Sequence, residues 1–308
     1  MRWFDKRYHT IDHEMKTTFG RKVAKLSLDG GFTCPNRDGT LGSRGCIFCS
    51  EVGSGEFAGS RNLGIREQIE EQKRLLSHKW PGAKYIAYFQ NFTSTYGSIE
   101  KLERLYREAL SCPDVVGLAI ATRPDCLPAE TVELLADLSK ATYLWVELGL
   151  QTIHPKSAVF IRRGYDLECF EAAVENLKEK RIRTAVHLIF GLPGESREEM
   201  LESADYVAGI GVWGVKIHLL HVLMDTDLHR YYLKNPFPLM SREEYTGVVC
   251  DAIEILPPDM VVHRLTGDGK KDRLVGPWWS LDKLRVLSGI DQELKKRDSF
   301  QGIKYRER

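Results

Sequence analysis

The sequence predicts an α/β protein built on a parallel sheet, and three observations carry that prediction. Short apolar, β-branched runs alternate with amphipathic segments over six units, which calls for parallel strands joined by right-handed crossovers. The runs are apolar throughout rather than at every second residue, as expected for strands covered on both faces. The Gly-rich and polar segments follow the strands, at the end where such sheets gather their chemistry.

The first strand is expected over Val23–Leu28, with Asp29-Gly30-Gly31 behind it. A helical pattern near 64–78 leads to Tyr85–Phe89 and then Gln90-Asn91-Phe92-Thr93. The next unit joins a helix near 98–110 to Val115–Ile120 and Ala121-Thr122-Arg123-Pro124-Asp125. A helix near 128–139 precedes Tyr143–Leu148 and Gly149-Leu150-Gln151. The fifth unit runs from a helix near 166–180 through Thr184–Phe190 to Gly191-Leu192-Pro193-Gly194-Glu195. A helix near 196–210 and a strand at Val215–Leu219 complete the series.

Beyond residue 219 the pattern loosens. Glu243–Leu256 reads as a helix ended by Pro257-Pro258. A strand at Met260–Leu265, a Gly/Lys-rich loop and a last helix near 280–297 follow. Both an open doubly wound sheet and a full or partial barrel accommodate this order.

The 308 residues, 43% apolar and 28% charged, suit a globular chain able to bury a sizeable core. The net charge of +1 gives no global pull toward nucleic acid or membrane. Charge is uneven, however. Residues 1–50 carry nine Lys/Arg against five Asp/Glu, and residues 261–308 carry twelve against seven, so both ends are basic. No stretch approaches the ~18 apolar residues of a membrane span, and the N-terminus lacks the apolar core of a signal peptide. The expectation is a cytoplasmic protein with no membrane partner. Seven cysteines are an odd number, and a reducing compartment argues against a disulfide framework. Cys112, Cys126, Cys169 and Cys250 read as small, mostly buried thiols.

The other three cysteines cluster. Cys34 is separated from Cys46 by eleven residues, and Cys46 from Cys49 by two. The C-x₂-C pair brings two thiolates to one centre from a tight turn, and the third joins them from a loop rich in turn formers. Three readings compete. Structural zinc needs a fourth ligand, for which only His9 or His13 stand near in sequence. Inert thiols are disfavoured in a Gly-rich loop, where they would be exposed and reactive. A cubane cluster held by three cysteines leaves its fourth iron open for a ligand.

The motif extends past the cysteines. Asp29-Gly30-Gly31-Phe32-Thr33-Cys34-Pro35-Asn36-Arg37-Asp38-Gly39 with Gly45-Cys46-Ile47-Phe48-Cys49 resembles the radical S-adenosylmethionine (SAM) superfamily, in its YtqA/YhcC-like subgroup, one branch of which is named MnmL. Lys216-Ile217-His218 and Arg264-Leu265-Thr266-Gly267-Asp268 carry the likeness along nearly the whole chain. The long first spacing departs from the superfamily's commonest motif but is shared by this subgroup and approximated by the Elongator catalytic subunit.

The resemblance implies a partial (β/α)6 TIM-type barrel over 23–220, an N-terminal extension over 1–22 and a C-terminal extension over 221–308 that caps the barrel and contacts substrate. It implies a [4Fe–4S] cluster on Cys34, Cys46 and Cys49, with SAM chelated at the open iron. Phe48 matches the aromatic residue near the adenine, and Gln90 and Asn91 stand where relatives place a Gly-Gly-Glu against the SAM amino group. Glu147-Leu148-Gly149-Leu150-Gln151 is similar to a ribose-binding strand, with Gln151 on the hydroxyls and Glu147 a second candidate. Arg163 matches a residue that binds the SAM carboxylate, and His187 through Gly191 and Gly194 matches the stretch lining the adenine. Arg123 either pairs with a neighbouring carboxylate or faces substrate, and His218 and His221 are core or catalytic histidines. Asp225 replaces a glycine and suits a left-handed backbone position. Gly267-Asp268-Gly269-Lys270-Lys271 with Arg273 forms a basic loop able to meet a phosphate.

The implied partners are a flavodoxin- or ferredoxin-type reductant and tRNA, whose wobble uridine is modified at its C5 side chain. The aromatic residues among the basic ends (Trp3, Phe4, Tyr8; Trp278, Trp279, Tyr305) suit either RNA contact or capping of the barrel. Radical chemistry on a small molecule or a protein side chain, and a zinc-stabilised RNA-binding module, are the competing functions.

Overall fold

The computed structural model describes residues 3–51, 53, 58–267 and 269–307. Helix α1 (Ile11–Phe19) precedes five strand–helix units: β1 (Val23–Leu28), α2 (Ile65–Ser77), β2 (Lys84–Phe89), α3 (Ile99–Leu110), β3 (Val115–Thr122), α4 (Ala129–Ala141), β4 (Tyr143–Gln151), short α5 (Pro155–Phe160), α6 (Leu167–Glu179), β5 (Arg183–Phe190) and α7 (Arg197–Gly209). Then come β6 (Gly214–Leu219), β7 (Val222–Leu223), α8 (Asp227–Lys234), α9 (Arg242–Ile255), β8 (Val261–Arg264), β9 (Leu274–Gly276) and α10 (Lys283–Lys296). All six strands expected from the apolar runs are present. Short polar side chains cap most of the helices, among them Thr10, Ser98, Asp166 and Thr226. Ser196 with Glu199 and Ser241 with Glu244 form reciprocal capping boxes at α7 and α9.

The strands pair in the order β1-β2-β3-β4-β5-β6-β8, every pair parallel. This is the partial barrel, with one addition. The strand expected near Met260–Leu265 is the seventh member of the sheet, beside β6, so the chain beyond residue 220 builds barrel as well as covering helices. Among the described residues, the edges β1 and β8 do not pair with each other. Helix α1 packs against both, and the Val262 amide donates to the His9 carbonyl at 2.7 Å. The N-terminal segment thereby covers the open seam of the sheet.

Alternate residues of each strand face inward. The outer faces carry Leu26, Phe89, Ile120, Leu148, Leu188 and Ile217 into a core shared with the helices. The inner faces begin with a separate apolar cluster that includes Met15, Ile86, Ala119 and Trp145. Trp213 and His263 pack edge-on against each other and beside Trp145, closing the amino-terminal end of the barrel. Small side chains (Ala119, Ala121, Ala185) leave room above that plug.

Candidate active site

One turn above the aromatic plug, the inner face turns polar. Glu147 on β4 is 1% exposed. Its Oε1 accepts from the Trp145 indole at 2.9 Å. Its Oε2 accepts from the Tyr88 hydroxyl at 2.7 Å and meets His187 Nε2 at 2.9 Å. The same oxygen pairs with the Lys216 ammonium, which also donates to the Tyr88 oxygen at 3.0 Å. Burial alone would push the Glu147 carboxyl up, but Lys216, His187 and Lys25 hold it well below the usual range. Burial, then the Lys216 charge, pushes His187 down to about 4, so its ring is neutral. An ionised group survives at such depth only with this many partners.

Above this layer a cavity of ≈ 490 Å³ opens at the carboxyl ends of the strands. The end of β4 is irregular where it meets the cavity. Its pairing with β5 slips between Gly149 and Gln151, and Gln151 takes a left-handed φ of 64°. Such a bulge re-aims the side chain that follows it. The Gln151 amide folds back over Gly149, where a Cβ would lie 2.4 Å from Nε2. A larger residue there would push the Gln151 amide out of this position. The Tyr165 hydroxyl closes the turn, donating to the Gly149 carbonyl at 2.5 Å and lying 3.3 Å from Gln151 Oε1.

The cysteine loop forms the opposite wall and is held mainly by its own backbone. The Arg37 amide donates to Cys34 O at 2.8 Å, Leu41 to Pro35 O at 2.8 Å, and Gly45 to Asn36 O at 2.7 Å. The Arg37 guanidinium spans the loop to the carbonyls of Cys49 and Ser50, at 3.2 and 2.6 Å. Asn36 ties the loop to the segment after α5. Its Nδ2 donates to Arg162 O at 2.8 Å and lies 3.5 Å from Cys46 Sγ. Gly164, at φ 82°, gives it space, since a Cβ there would stand 2.8 Å from Asn36 Oδ1.

Cys34, Cys46 and Cys49 all line the cavity. Burial pushes the Cys46 thiol up to about 12, and the nearness of Cys49 and Cys34 adds to that. Three thiolates side by side are unfavourable without a cation among them. Three cysteine thiolates on one wall are a donor set that fits a [4Fe–4S] cubane, in which each thiolate binds its own iron.

The cavity wall also includes Phe48, Gln90, Glu147, Gln151, Arg163 and His187. Asn91, Gly191 and Gly194 are not among its described lining residues. Asn91 is buried beneath, donating to Asp29 Oδ2 at 2.8 Å. Gly191 packs against Met240 and Leu220 instead. Arg163 spends Nε and Nη1 on the carbonyls of Tyr165, Leu150 and Thr152, at 2.7 to 3.0 Å. Arg123 forms the ion pair of its two expected alternatives, with Nε and Nη2 on the Asp125 carboxylate at 2.9 and 2.6 Å. His218 and His221 line the cavity, and the buried Nε2 of each has no hydrogen-bond partner among the described residues. Asp225 has the left-handed φ expected of it, 64°. In the basic loop Asp268 lies outside the described residues, while Arg273 pairs with Asp225 at 3.0 Å.

Lys216, Tyr88 and Tyr165 belong to the site without having been singled out by residue type. A signal for Lys216 exists. A lysine and a glutamate, each alone in an apolar strand at an inward position, have to meet.

Known proteins share this frame. The family profile described as the Radical SAM superfamily matches residues 39–207, and the Radical_SAM C-terminal domain matches 212–296. The uncharacterized protein YtqA of Bacillus subtilis is 48% identical, over 97% of this chain and 92% of its own length. A tRNA uridine(34) acetyltransferase of Methanocaldococcus jannaschii is 28% identical over 50% of this chain and 28% of that enzyme. The solved structure of the archaeal Methanocaldococcus infernus Elp3 with N-terminus deletion superposes with a TM-score of 0.68 at 19% identity, covering 91% of this chain and 64% of that one. That likeness shows a shared fold over most of this chain.

Proposed function

The chain belongs to the radical SAM superfamily, and from that premise we propose that it modifies the C5 side chain of the tRNA wobble uridine, with Cys34, Cys46 and Cys49 as cluster ligands. Enzymes of this superfamily use a [4Fe–4S] cluster and SAM, and they need a reductant. Cys34, Cys46 and Cys49 would hold that cluster, which would supply the electron for splitting SAM into methionine and a 5′-deoxyadenosyl radical able to abstract hydrogen from substrate. The observation that carries the assignment of ligands is the meeting of three cysteines on one ≈ 490 Å³ cavity at the carboxyl ends of the strands.

The chain's own residues bind and orient. Phe48 offers an apolar face to the adenine beside the cysteines. Gln151, fixed by its bulge and by Tyr165, is placed to hydrogen-bond ribose hydroxyls. Arg163 keeps its Nη2 donors for the SAM carboxylate, because Nε and Nη1 are spent on backbone. Glu147 and His187 serve as the floor that sets the field. Its ammonium-bound carboxylate keeps a fixed charge below the reacting atoms. Gln90, on the cavity wall at the end of β2, is the remaining candidate for the SAM amino group.

The tRNA substrate rests on the resemblance to tRNA uridine(34) enzymes and on the basic ends of the chain. A flavodoxin- or ferredoxin-type protein is the proposed electron donor. Anaerobic reconstitution followed by reduction with SAM present tests the cluster and its chemistry: 5′-deoxyadenosine is expected, and a colourless chain holding one zinc would overturn it. Mass spectrometry of tRNA nucleosides from cells lacking the gene tests the substrate. Unaltered wobble-uridine modifications would sink the tRNA assignment and leave the radical chemistry standing.

A further inference from the structure

Beside the cavity, three arginines converge on one carboxylate. Asp227, the first residue of α8, has 10% side-chain exposure. It pairs with Arg162 Nη1 at 2.5 Å, Arg230 Nη1 at 2.6 Å and Arg44 Nε at 3.5 Å. The three guanidinium charges outnumber the one carboxylate by two. Arg44 and Arg230 are 68% and 67% exposed, so the surplus faces solvent. A single arginine would satisfy Asp227. Its physical effect on three is to fix their planes in advance, which lowers the entropy lost when they grip an anion.

The arginines come from three separate parts of the chain, and each part belongs to the cluster wall. Arg44 lies in the cysteine loop, two residues before Cys46. Arg162 shares its carbonyl with the Asn36 amide at 2.8 Å, and Cys46 Sγ stands 3.7 Å from the same oxygen. Helix α8 is tied on through the Leu228 amide, which donates to Ile47 O at 2.8 Å. Apolar and aromatic side chains are exposed around the arginines. Tyr231 stands edge-on to Phe160 at 5.0 Å and is 36% exposed, while Val159 is 79% and Leu233 68% exposed. Guanidinium forks beside an aromatic face suit a phosphodiester backbone with unstacked bases.

We propose that Arg44, Arg162 and Arg230, oriented by Asp227, seat backbone phosphates of an RNA substrate at the rim of the cavity. The proposal rests on the tRNA assignment above and says where that RNA is held. The seat adjoins the cavity through the backbone, since Arg162 precedes the cavity-lining Arg163 and Arg44 precedes the cavity-lining Gly45.

The test is anaerobic binding of the cluster-loaded protein to a transcribed tRNA anticodon stem–loop with an unmodified wobble uridine, over a range of salt. Arg44→Glu with Arg230→Glu is expected to weaken binding roughly tenfold at near-physiological salt. It also lowers the slope of log affinity against log salt by about 0.7 to 0.9 for each phosphate that is no longer neutralised. Arg44→Lys with Arg230→Lys retains the charges and is expected to retain the wild-type slope. Iron and sulfide content, measured on each variant, separates a damaged cluster wall from weakened phosphate binding. Wild-type affinity and slope in the Glu variant, with its cluster intact, overturn the seat but leave the tRNA assignment standing. A wild-type protein that does not bind the stem–loop overturns both.

Discussion

At the floor of the cavity, Glu147 meets Tyr88, Trp145, His187 and Lys216, and both of its oxygens are engaged inside the protein. At the rim, three cysteines face the same space, and the buried Nε2 atoms of His218 and His221 have no hydrogen-bond partner among the described residues. The two layers line one cavity, yet they do different work. A buried polar group whose bonds are complete contributes structure and a fixed field; one whose bonds are incomplete marks where a ligand completes them.

Four changes break or sharpen that distinction. The largest effect is expected at the rim. Cys34→Ala should abolish retention of iron and sulfide and all 5′-deoxyadenosine formation. Its far-UV circular dichroism should match the wild type, because the loop's backbone bonds do not depend on the thiol. Glu147→Leu at the floor should do the reverse. Removing one partner of a buried pair leaves Lys216 uncompensated, at a cost of about 3 to 5 kcal/mol, read as a lower denaturation midpoint. The folded fraction should still take up iron.

A third change is of pH. Folded His187 and His221 lie near 4 against an ordinary 6.5, through burial first and then neighbouring cations. The unfolded chain binds protons in that window and the folded chain does not. Their contribution is therefore full above pH 6.5 and lost as pH falls toward 4, and thermal melts should show that decline. His187→Gln should flatten part of it. The smallest effect is expected from Asn36→Leu, which removes the N–H beside Cys46 Sγ. The midpoint potential of the reconstituted cluster should fall by something on the order of tens of millivolts, with the melting temperature lowered as well because the Arg162 carbonyl loses its donor.

Much of the frame was legible in the sequence because strands buried on both faces are written as unbroken apolar runs. The cysteine loop was legible because its spacing and its turn formers are local. What was not legible depends on neighbours distant in the chain. Met260–Leu265 reads as a strand, but nothing local says that it lies beside β6. Helices α1, α5 and α8 and the antiparallel ribbon of β7 with β9 are short, so each offers too few residues for its pattern to be read as an element. Glu147 was expected to meet a partner or a ligand because an acid in an apolar strand needs one, and it meets partners. Its partner Lys216 is 69 residues on, brought level by the register that sets Glu147 against Ala185 and His187 against Lys216. Asn91, Gly191 and Gly194 follow strands as site residues do, yet local packing against Asp29 and Met240 determines where the first two lie.

The long first span of the cysteine loop carries its own bracing. Arg37, Leu41 and Gly45 donate their amides to carbonyls within the loop, and the Arg37 guanidinium ties its start to its end. None of these bonds uses a thiol. On the proposed assignment of the ligands, the durability of the chain and the lifetime of its cofactor would therefore be separate quantities.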